Sequence, residues 1–321
     1  MSPAWRIGID LGGTKIEGAL LGDDPKSPLA RLRIPTPRGA GYEPILEAIA
    51  GVARELLGSV PGGAPASIGV GIPGTISTTH GRVKNANTTE LNGRPLRADL
   101  EERLGRPVLC ENDANCFALA EALHGAGAGA RCVFGVILGT GVGGGIVLDG
   151  RIWSGAQGIA GEWGHMILDR SGPPCYCGRN GCVETFLSGP GITRAYLAAG
   201  GDERSAEEIW RRAGEADPRA KTVVEEYKSR FGYALAQMIN LVDPDVVVFG
   251  GGVSNSPGLA EEARERIRPH IFNDEVLTDI RRHALGDSAG VLGAAWLGGG
   301  SSGPHPVPFG GYPNSPLEEV Q

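Results

Sequence analysis

At residues 7–21 the chain reads IGIDLGGTKIEGALL, two apolar runs separated by a glycine-rich turn. Short apolar runs bounded by turn residues predict β-strands, here Ile7 to Leu11 and Ile16 to Leu21. The glycines let backbone N–H groups of the turn face phosphate oxygens with no side chain in between. A plain hairpin turn has the same composition, so a phosphate-binding role needs support from the rest of the chain.

The same pattern returns at residues 132–148, which read CVFGVILGTGVGGGIVL. A third apolar run, Asp245 to Phe249, ends in Gly250-Gly251-Gly252. This repetition fits two similar α/β lobes that face a cleft. Three glycine turns would be explained if one lobe held the phosphates of a nucleotide and the other its adenosine. The residues expected to bind ATP are Asp10, Gly12, Gly13, Thr14, Lys15, Gly139, Thr140, Gly141, Gly143, Gly251, Gly252 and Asn255.

The side chains of the first turn have distinct chemical roles. Thr14 offers a hydroxyl donor and Lys15 a positive charge. Asp10, at the end of the strand, is suited to hold Mg²⁺ through water, because Mg²⁺ keeps much of its hydration. The turn lacks the residue order of the P-loop motif, and it precedes a strand where the dinucleotide-binding fingerprint needs a helix.

Asn112 and Asp113 stand where a predicted strand, Pro107 to Cys110, gives way to a helix predicted from about Ala114 to His124. A carboxylate at this position can simply cap the helix. It can also be the base that accepts the proton of a sugar hydroxyl during phosphoryl transfer, for which a modest base suffices. Both interpretations fit the sequence.

A cluster of metal-binding residue types comes later in the chain. One histidine and three cysteines are separated by nine, one and four residues: His165, Cys175, Cys177 and Cys182. This is the composition of a structural Zn²⁺ site, and four protein ligands leave no open position for catalysis. Glu162 and Glu184 flank the ligands, so the loop would fix two carboxylates that can bind sugar hydroxyls.

Apolar spacing predicts the remaining elements and the domain boundaries. The predicted helices cover residues 43–58, 205–241 and 289–297, and a strand over 68–72 ends in Pro73-Gly74. The predicted domains are a small N-terminal α/β lobe (1–113, joined by the C-terminal helix at about 289–298), a large α/β lobe with the zinc-binding loop (114–288) and a Gly/Pro-rich tail (299–321).

The composition is that of a globular chain without a basic surface. Its net charge is −7, from 37 acidic and 30 basic side chains, which argues against a nucleic-acid partner. No apolar run approaches the ~18 residues of a membrane span, and the first strand begins too early to leave room for a signal peptide. We therefore expect a cytoplasmic protein with neither nucleic acid nor membrane as partner.

Together these motifs resemble the ROK family of bacterial sugar kinases and sugar-responsive repressors over about residues 5–300. The resemblance rests on DLGGTK at 10–15, GIPG at 71–74, ENDANC at 111–116, GTGVG at 139–143, GEWGH at 161–165 and the block from Cys175 to Glu184. It implies an actin/hexokinase-like (ribonuclease H-like) ATPase fold with a cleft between two lobes, in a homodimer. Repressor members carry a DNA-binding module before the first strand, where this chain has only a few residues, so the resemblance favours a kinase.

By this resemblance, Asp113 matches the catalytic base. The matching sugar-binding positions are Gly74, Asn87, Asn112, Asp113, Glu162, His165 and Glu184. Gly74 and Asn87 would belong to a loop that closes over the sugar, and His165 would bind Zn²⁺ with one ring nitrogen while the other faces the sugar side. The implied reaction transfers a phosphoryl group from ATP, with Mg²⁺, to the 6-hydroxyl of a hexose.

Several segments resemble the fructokinase or manno(fructo)kinase branch of the family, among them AGEWGH at 160–165 and GDSAG at 286–290. Fructose is therefore the first expected substrate and mannose the second. N-acetylglucosamine kinases and glucokinases share most of the same residues and stay as alternatives. A non-catalytic sugar sensor with the same fold is a further alternative.

Overall fold

The structure, a computed structural model, describes residues 5–64, 66–202 and 205–297. Its strands are β1 (Trp5–Leu11), β2 (Lys15–Leu21), β3 (Ala30–Pro35), β4 (Ala66–Ile72), β5 (Thr75–Ile76), β6 (Val83–Lys84), β7 (Leu109–Asn112), β8 (Cys132–Leu138), β9 (Val142–Leu148), β10 (Arg151–Ile152), β11 (Val246–Gly250) and β12 (Asp279–Arg282). Its helices are α1 (Tyr42–Gly58), α2 (Leu96–Leu104), α3 (Asp113–His124), α4 (Val183–Leu187), α5 (Gly189–Ala198), α6 (Ala206–Gly214), α7 (Pro218–Val242), α8 (Leu259–Ile267) and α9 (Ala289–Trp296).

Two five-stranded sheets have the same topology. The first has the order β3-β2-β1-β4-β7 and the second the order β10-β9-β8-β11-β12. In each, the first three strands along the chain pair antiparallel, and the next two add in parallel on the other side. The duplication expected from the glycine-turn pattern is therefore a duplication of the whole sheet.

Two helices cross between the sheets and hold them together. Helix α3 follows the last strand of the first sheet and packs on β8 and β9, whereas α9 follows the second sheet and packs on β1 and β4. The two helices also contact each other, where a Cβ at Gly293 would lie 1.8 Å from the Cys116 carbonyl oxygen. Only glycine permits this approach. Side chains of α3, α9 and both sheets form one shared apolar cluster.

The first sheet has its own core, to which α1 contributes one face. Ile45, Leu46, Ile49, Val52 and Leu56 recur at helical spacing, as the sequence predicts, and all five are buried. The second sheet packs under α7 and its neighbours, which form the largest apolar cluster of the described residues. Within the described ranges, no helix combines the length and apolarity that a membrane span requires.

Two predicted boundaries are wrong. The predicted helix over 205–241 is two helices, because Asp217 caps a new helix with Pro218 in its first turn. The predicted strand Pro107 to Cys110 lies two residues later, at Leu109–Asn112, where it pairs with β4. The predicted tail at 299–321 lies outside the described residues.

Candidate functional site

The junction of β7 and α3 carries Asn112 and Asp113. The Asn112 side-chain oxygen accepts hydrogen bonds from Ala114 N (2.9 Å) and Asn115 N (3.3 Å), so Asn112 is the residue that caps the helix. Asp113 is half-buried and accepts one bond from Ala114 N (2.8 Å). Burial raises the pKa of the Asp113 carboxyl to about 6. A carboxylate with this pKa is ionised at neutral pH and is a better base than an exposed one.

Four carboxylates gather around this junction. Burial, with repulsion from Asp113 second, raises the pKa of Asp10 to about 7. Burial also raises the pKa of Glu162, and repulsion from Glu184 adds to it. Glu162 in turn adds to the raised pKa of Asp113. Since these repulsions act only over short distances, the structure brings Asp10, Asp113, Glu162 and Glu184 into one acidic region.

The second glycine turn touches this region. Glu184 accepts a hydrogen bond from Val142 N (3.0 Å), and a Cβ at Gly141 would lie 2.7 Å from its carboxylate. A Cβ at Gly143 would lie 3.0 Å from Ala114 Cβ, beside Asp113. The turn therefore joins a predicted sugar-binding residue to the start of α3. Thr140, at the tip, is exposed.

The third turn lies directly beside the second. Gly251 has φ +85°, and a Cβ there would lie 2.4 Å from the Leu138 carbonyl oxygen at the end of β8. Gly252 and Asn255 follow in a short 3₁₀ turn, and both are exposed. Two of the three predicted nucleotide-binding turns thus lie side by side at the ends of the neighbouring strands β8 and β11.

The first turn pairs its lysine with a nearby carboxylate. Gly12 N donates to Lys15 O (2.9 Å), Gly13 is half-buried, and Thr14 is exposed. The Lys15 ammonium lies 3.1 Å from a carboxylate oxygen of Glu17.

Glu17 is a buried carboxylate beside the first turn that sequence reasoning did not single out. It is 2% exposed and also pairs with Arg31 (3.4 Å) and Arg33 (2.9 Å). It stands opposite Asp10 in the register of β1 and β2. The available signal was an acidic residue in an otherwise apolar strand.

A flap follows β4, here defined as residues 73–87. Its Gly74 carbonyl accepts a hydrogen bond from the Asn112 side chain (3.1 Å), and a Cβ at Gly74 would lie 2.9 Å from Ala86. Asn87 is exposed, and its N–H donates to Pro73 O (3.1 Å), which closes the base of the flap. The two predicted flap residues therefore lie at its base, where Gly74 contacts Asn112.

The four predicted metal ligands come together in space. Their ligand atoms, from His165, Cys175, Cys177 and Cys182, all lie within 4.8 Å of one another. The His165 Nδ1 lies 3.6 Å from the Cys175 sulfur, and the Cys177 and Cys182 sulfurs are 3.6 Å apart. Three thiols and one imidazole at these separations fit a tetrahedral Zn²⁺ ion.

The second ring nitrogen of His165 has a partner other than the one expected. Its Nε2 lies 3.0 Å from the hydroxyl of Tyr176, and the two rings meet edge to face. Tyr176 itself is 66% exposed. A cavity of about 670 Å³ opens beside Glu162 and His165, although its lining residues do not include Asp113.

Comparison with known proteins places the chain in a family. The ROK family model matches residues 6–299. The N-acetyl-D-glucosamine kinase of Shigella flexneri is 38% identical over 300 residues, which covers 90% of this chain and 98% of that protein.

Two solved structures share the fold. The ROK hexokinase from Thermus thermophilus has a TM-score of 0.80 and 37% identity, covering 91% of this chain and 96% of that chain. A ROK family glucokinase from Streptomyces griseus, in complex with glucose and AMPPNP, has a TM-score of 0.77 and 30% identity, covering 92% and 99%. The actin/hexokinase-like ATPase fold predicted from the sequence is confirmed. The chain belongs to the ROK family.

Proposed function

We propose that the protein is an ATP-dependent sugar kinase that phosphorylates the 6-hydroxyl of N-acetyl-D-glucosamine or glucose. The relatives reported above are named for N-acetyl-D-glucosamine, hexose and glucose, and none of them is named for fructose. They support the alternatives weighed on the sequence more than the fructokinase branch, so fructose becomes the weaker candidate.

The observation that carries the proposal is the position of Asp113. Its half-buried carboxylate stands on the first residue of α3, where Ala114 packs against Gly143 of the second glycine turn, and its charge adds to the burial that raises the pKa of Asp10 beside the first turn. In the proposed reaction, the sugar 6-oxygen attacks the γ-phosphorus of ATP, the bond to the β-phosphate oxygen breaks, and Asp113 accepts the hydroxyl proton. The hydroxyl becomes acidic as its bond to phosphorus forms, so a carboxylate suffices as base.

The sugar would be held by the groups that surround Asp113. Asn112, Glu162 and Glu184 offer amide and carboxylate groups for sugar hydroxyls, and charged acceptors make the stronger hydrogen bonds. His165 would contribute its ring, while Gly74 and Asn87 would bring the flap over the sugar. Because Glu184 also accepts a bond from Val142 N, sugar binding would be coupled to the second glycine turn.

The nucleotide would lie along the three glycine turns. Asp10 would hold Mg²⁺ through water, and the ion would neutralise charge on the β- and γ-phosphates. Exposed backbone and hydroxyl groups at Thr14, Thr140 and Asn255 are available to the nucleotide. Lys15, which already contacts Glu17, would reach a phosphate only by exchanging that partner.

His165, Cys175, Cys177 and Cys182 would hold a structural Zn²⁺ ion, consistent with their donor set and separations. The ion would fold the loop between Glu162 and Glu184 and thereby fix both carboxylates. With four protein ligands it would take no part in phosphoryl transfer. The division into lobes 1–113 with 289–298 and 114–288, and the homodimer, stay predictions alongside this proposal.

A coupled assay of ADP release tests the proposal. Purified protein with Mg²⁺ and ATP would be measured against N-acetyl-D-glucosamine, glucose, N-acetylmannosamine, mannose and fructose at equal concentrations. We expect the highest kcat/KM for N-acetyl-D-glucosamine or glucose. A preference for fructose would restore the first expectation from sequence, and no sugar-dependent ADP release would contradict kinase activity.

A further inference from the structure

Two hydrogen bonds join the flap to a loop from the second sheet. The loop, here called the 153–162 loop, follows β10 and ends at Glu162. The Thr75 hydroxyl donates to the Gly158 carbonyl (3.0 Å), and the Lys84 ammonium donates to the Gln157 carbonyl (3.0 Å). Thr75 and Lys84 face each other across the β5–β6 ribbon, so both bonds leave from one point of the flap.

We propose that Thr75 and Lys84 are positioning residues for the sugar: their two bonds form a clasp that holds the 153–162 loop, and with it Glu162, against the flap. This inference rests on the proposed function, since it assigns the clasp to sugar binding at that site. Neither residue binds Zn²⁺ or the nucleotide in the proposal above.

The clasp connects the two halves of the molecule. The flap follows β4 of the first sheet and is bonded to Asn112 through Gly74. The 153–162 loop belongs to the second sheet. A third hydrogen bond also joins the loop to the first sheet. The Ser154 hydroxyl donates to Glu111 (3.1 Å), the residue directly before Asn112. Opening of the cleft would have to break these bonds, and closing would form them.

The loop is built so that its tip needs such support. Gly155, Gly158 and Gly161 all have positive φ, of +72°, +67° and +90°. One end of the loop is fixed by close packing on β9. Gly161 lies so near the strand that a Cβ there would be 2.7 Å from the Gly144 carbonyl oxygen. Glycines elsewhere in the loop leave the backbone many conformations, and the clasp selects one of them.

The two donors differ in strength and surroundings. Thr75 is 5% exposed, so its hydroxyl has little access to water when the bond to Gly158 is lost. Lys84 is charged, and its positive charge also opposes the rise in the pKa of Glu162 that burial causes. A charged donor makes the stronger bond, so loss of the Lys84 bond should have the larger effect.

The expected consequence is a shift in population between open and closed forms. If the clasp is lost, a smaller fraction of the free protein holds Glu162 in the position that binds sugar. The apparent sugar affinity falls in proportion to that fraction. Once sugar has bound and the cleft has closed, phosphoryl transfer proceeds as before. The clasp should therefore affect the KM for sugar and leave kcat almost unchanged.

Four variants and a matched control test this. We expect Thr75→Val to raise the KM for sugar about threefold and Lys84→Met about tenfold, with the KM for ATP and kcat changed less than about twofold. Lys84→Arg should restore most of the affinity. Thr222→Val removes a hydroxyl that donates to a backbone carbonyl on α7 (2.9 Å), and it should change nothing. An unchanged sugar KM in the Thr75→Val/Lys84→Met double variant, or an equal rise in both KM values, would overturn the proposal.

A second measurement separates failure of the clasp from failure of the proposed function. If the wild-type protein turns over no sugar, the kinase proposal fails, and hydrogen exchange in the free protein still tests the clasp. The amides of Ala160 and Glu162 bond within the loop, to Ser154 O and Ile159 O. We expect the double variant to exchange them faster than both wild type and Thr222→Val. Equal exchange rates would show that the two bonds do not hold the loop.

Discussion

The hairpin of β1 and β2 and the hairpin of β8 and β9 have the same backbone plan but different side chains at the same place. The comparison concerns the second residue pair from the turn in each hairpin. In the first hairpin this pair is Asp10 and Glu17, and in the second it is Ile137 and Gly143. The first therefore brings charge to the cleft, whereas the second brings a bare backbone that lets α3 approach within contact of Gly143. The two hairpins therefore share a backbone but differ in role: the first supplies charged side chains, and the second supplies room for close packing.

Replacement of Asp113, the first residue of α3, should have the largest effect. We expect Asp113→Asn to lower kcat by about 10²- to 10⁴-fold, because the base is lost, with sugar affinity largely kept. Coupled ADP release and calorimetric titration with sugar measure the two quantities. Asp149→Asn, an exposed carboxylate in a turn, is the matched control. Turnover at the wild-type rate would exclude Asp113 as the base.

The equivalence of the two backbones can be tested by adding one methyl group to each. A Cβ at Gly8 of β1 would lie 2.0 Å from Val291 O of α9, and a Cβ at Gly135 of β8 would lie 2.6 Å from Ala118 of α3. We expect Gly8→Ala and Gly135→Ala each to lower the free energy of unfolding by about 1–3 kcal/mol, measured by urea denaturation. Gly214→Ala, with open space around it, should not destabilise. If only one of the two were destabilised, the comparison would fail.

The metal cluster belongs to the second half alone and makes the comparison asymmetric. We expect Cys177→Ser to release bound zinc and raise the KM for sugar by about tenfold or more, because Glu162 and Glu184 lose their support. Metal content by mass spectrometry and sugar KM are the measurements. Cys132→Ser, at a thiol outside the cluster, should change neither. Full sugar affinity in a zinc-free variant would contradict the supporting role.

The smallest effect concerns pH. Burial raises the pKa of Asp113 to about 6. Only the ionised carboxylate can accept a proton, so a raised pKa moves the loss of activity to higher pH. At saturating Mg²⁺ we expect kcat/KM to halve near pH 6 and to fall about tenfold per pH unit below it. Tryptophan fluorescence over the same range checks that the protein stays folded. Constant kcat/KM down to pH 5 would refute this assignment.

Local patterns predicted those parts of the fold whose signal lies in neighbouring residues. Both hairpins and α1 follow from apolar runs and glycine turns, and the metal cluster from short spacing between its ligands. The break between α6 and α7 was also visible as Asp217-Pro218, but helical spacing on both sides concealed it. Strand β3 was missed although its signal is present, because Ala30, Leu32 and Ile34 alternate with Arg31 and Arg33 as in a half-buried strand.

Contacts between distant segments had no signal in a single sequence. The Thr75 hydroxyl bonds to a backbone carbonyl 83 positions away, and every residue type has such a carbonyl, so the sequence does not mark this bond. The partners of Glu17 come from two strands and from Ser288, and only the folded arrangement brings them together. Candidate site residues could thus be proposed from sequence, whereas the hydrogen bonds that position their side chains could not.

Helices α3 and α9 each pack on the sheet that they do not follow in the chain, and this has a consequence for folding during translation. Strands β1 and β4 are packed under α9, the last helix of the described chain, so the N-terminal half cannot be completed when it leaves the ribosome. Its apolar face stays uncovered until α9 has been translated. We expect a nascent chain stalled before α9 to be held by chaperones or degraded. The time for which the apolar face of β1 and β4 is exposed should depend on the length of the segment between β4 and α9.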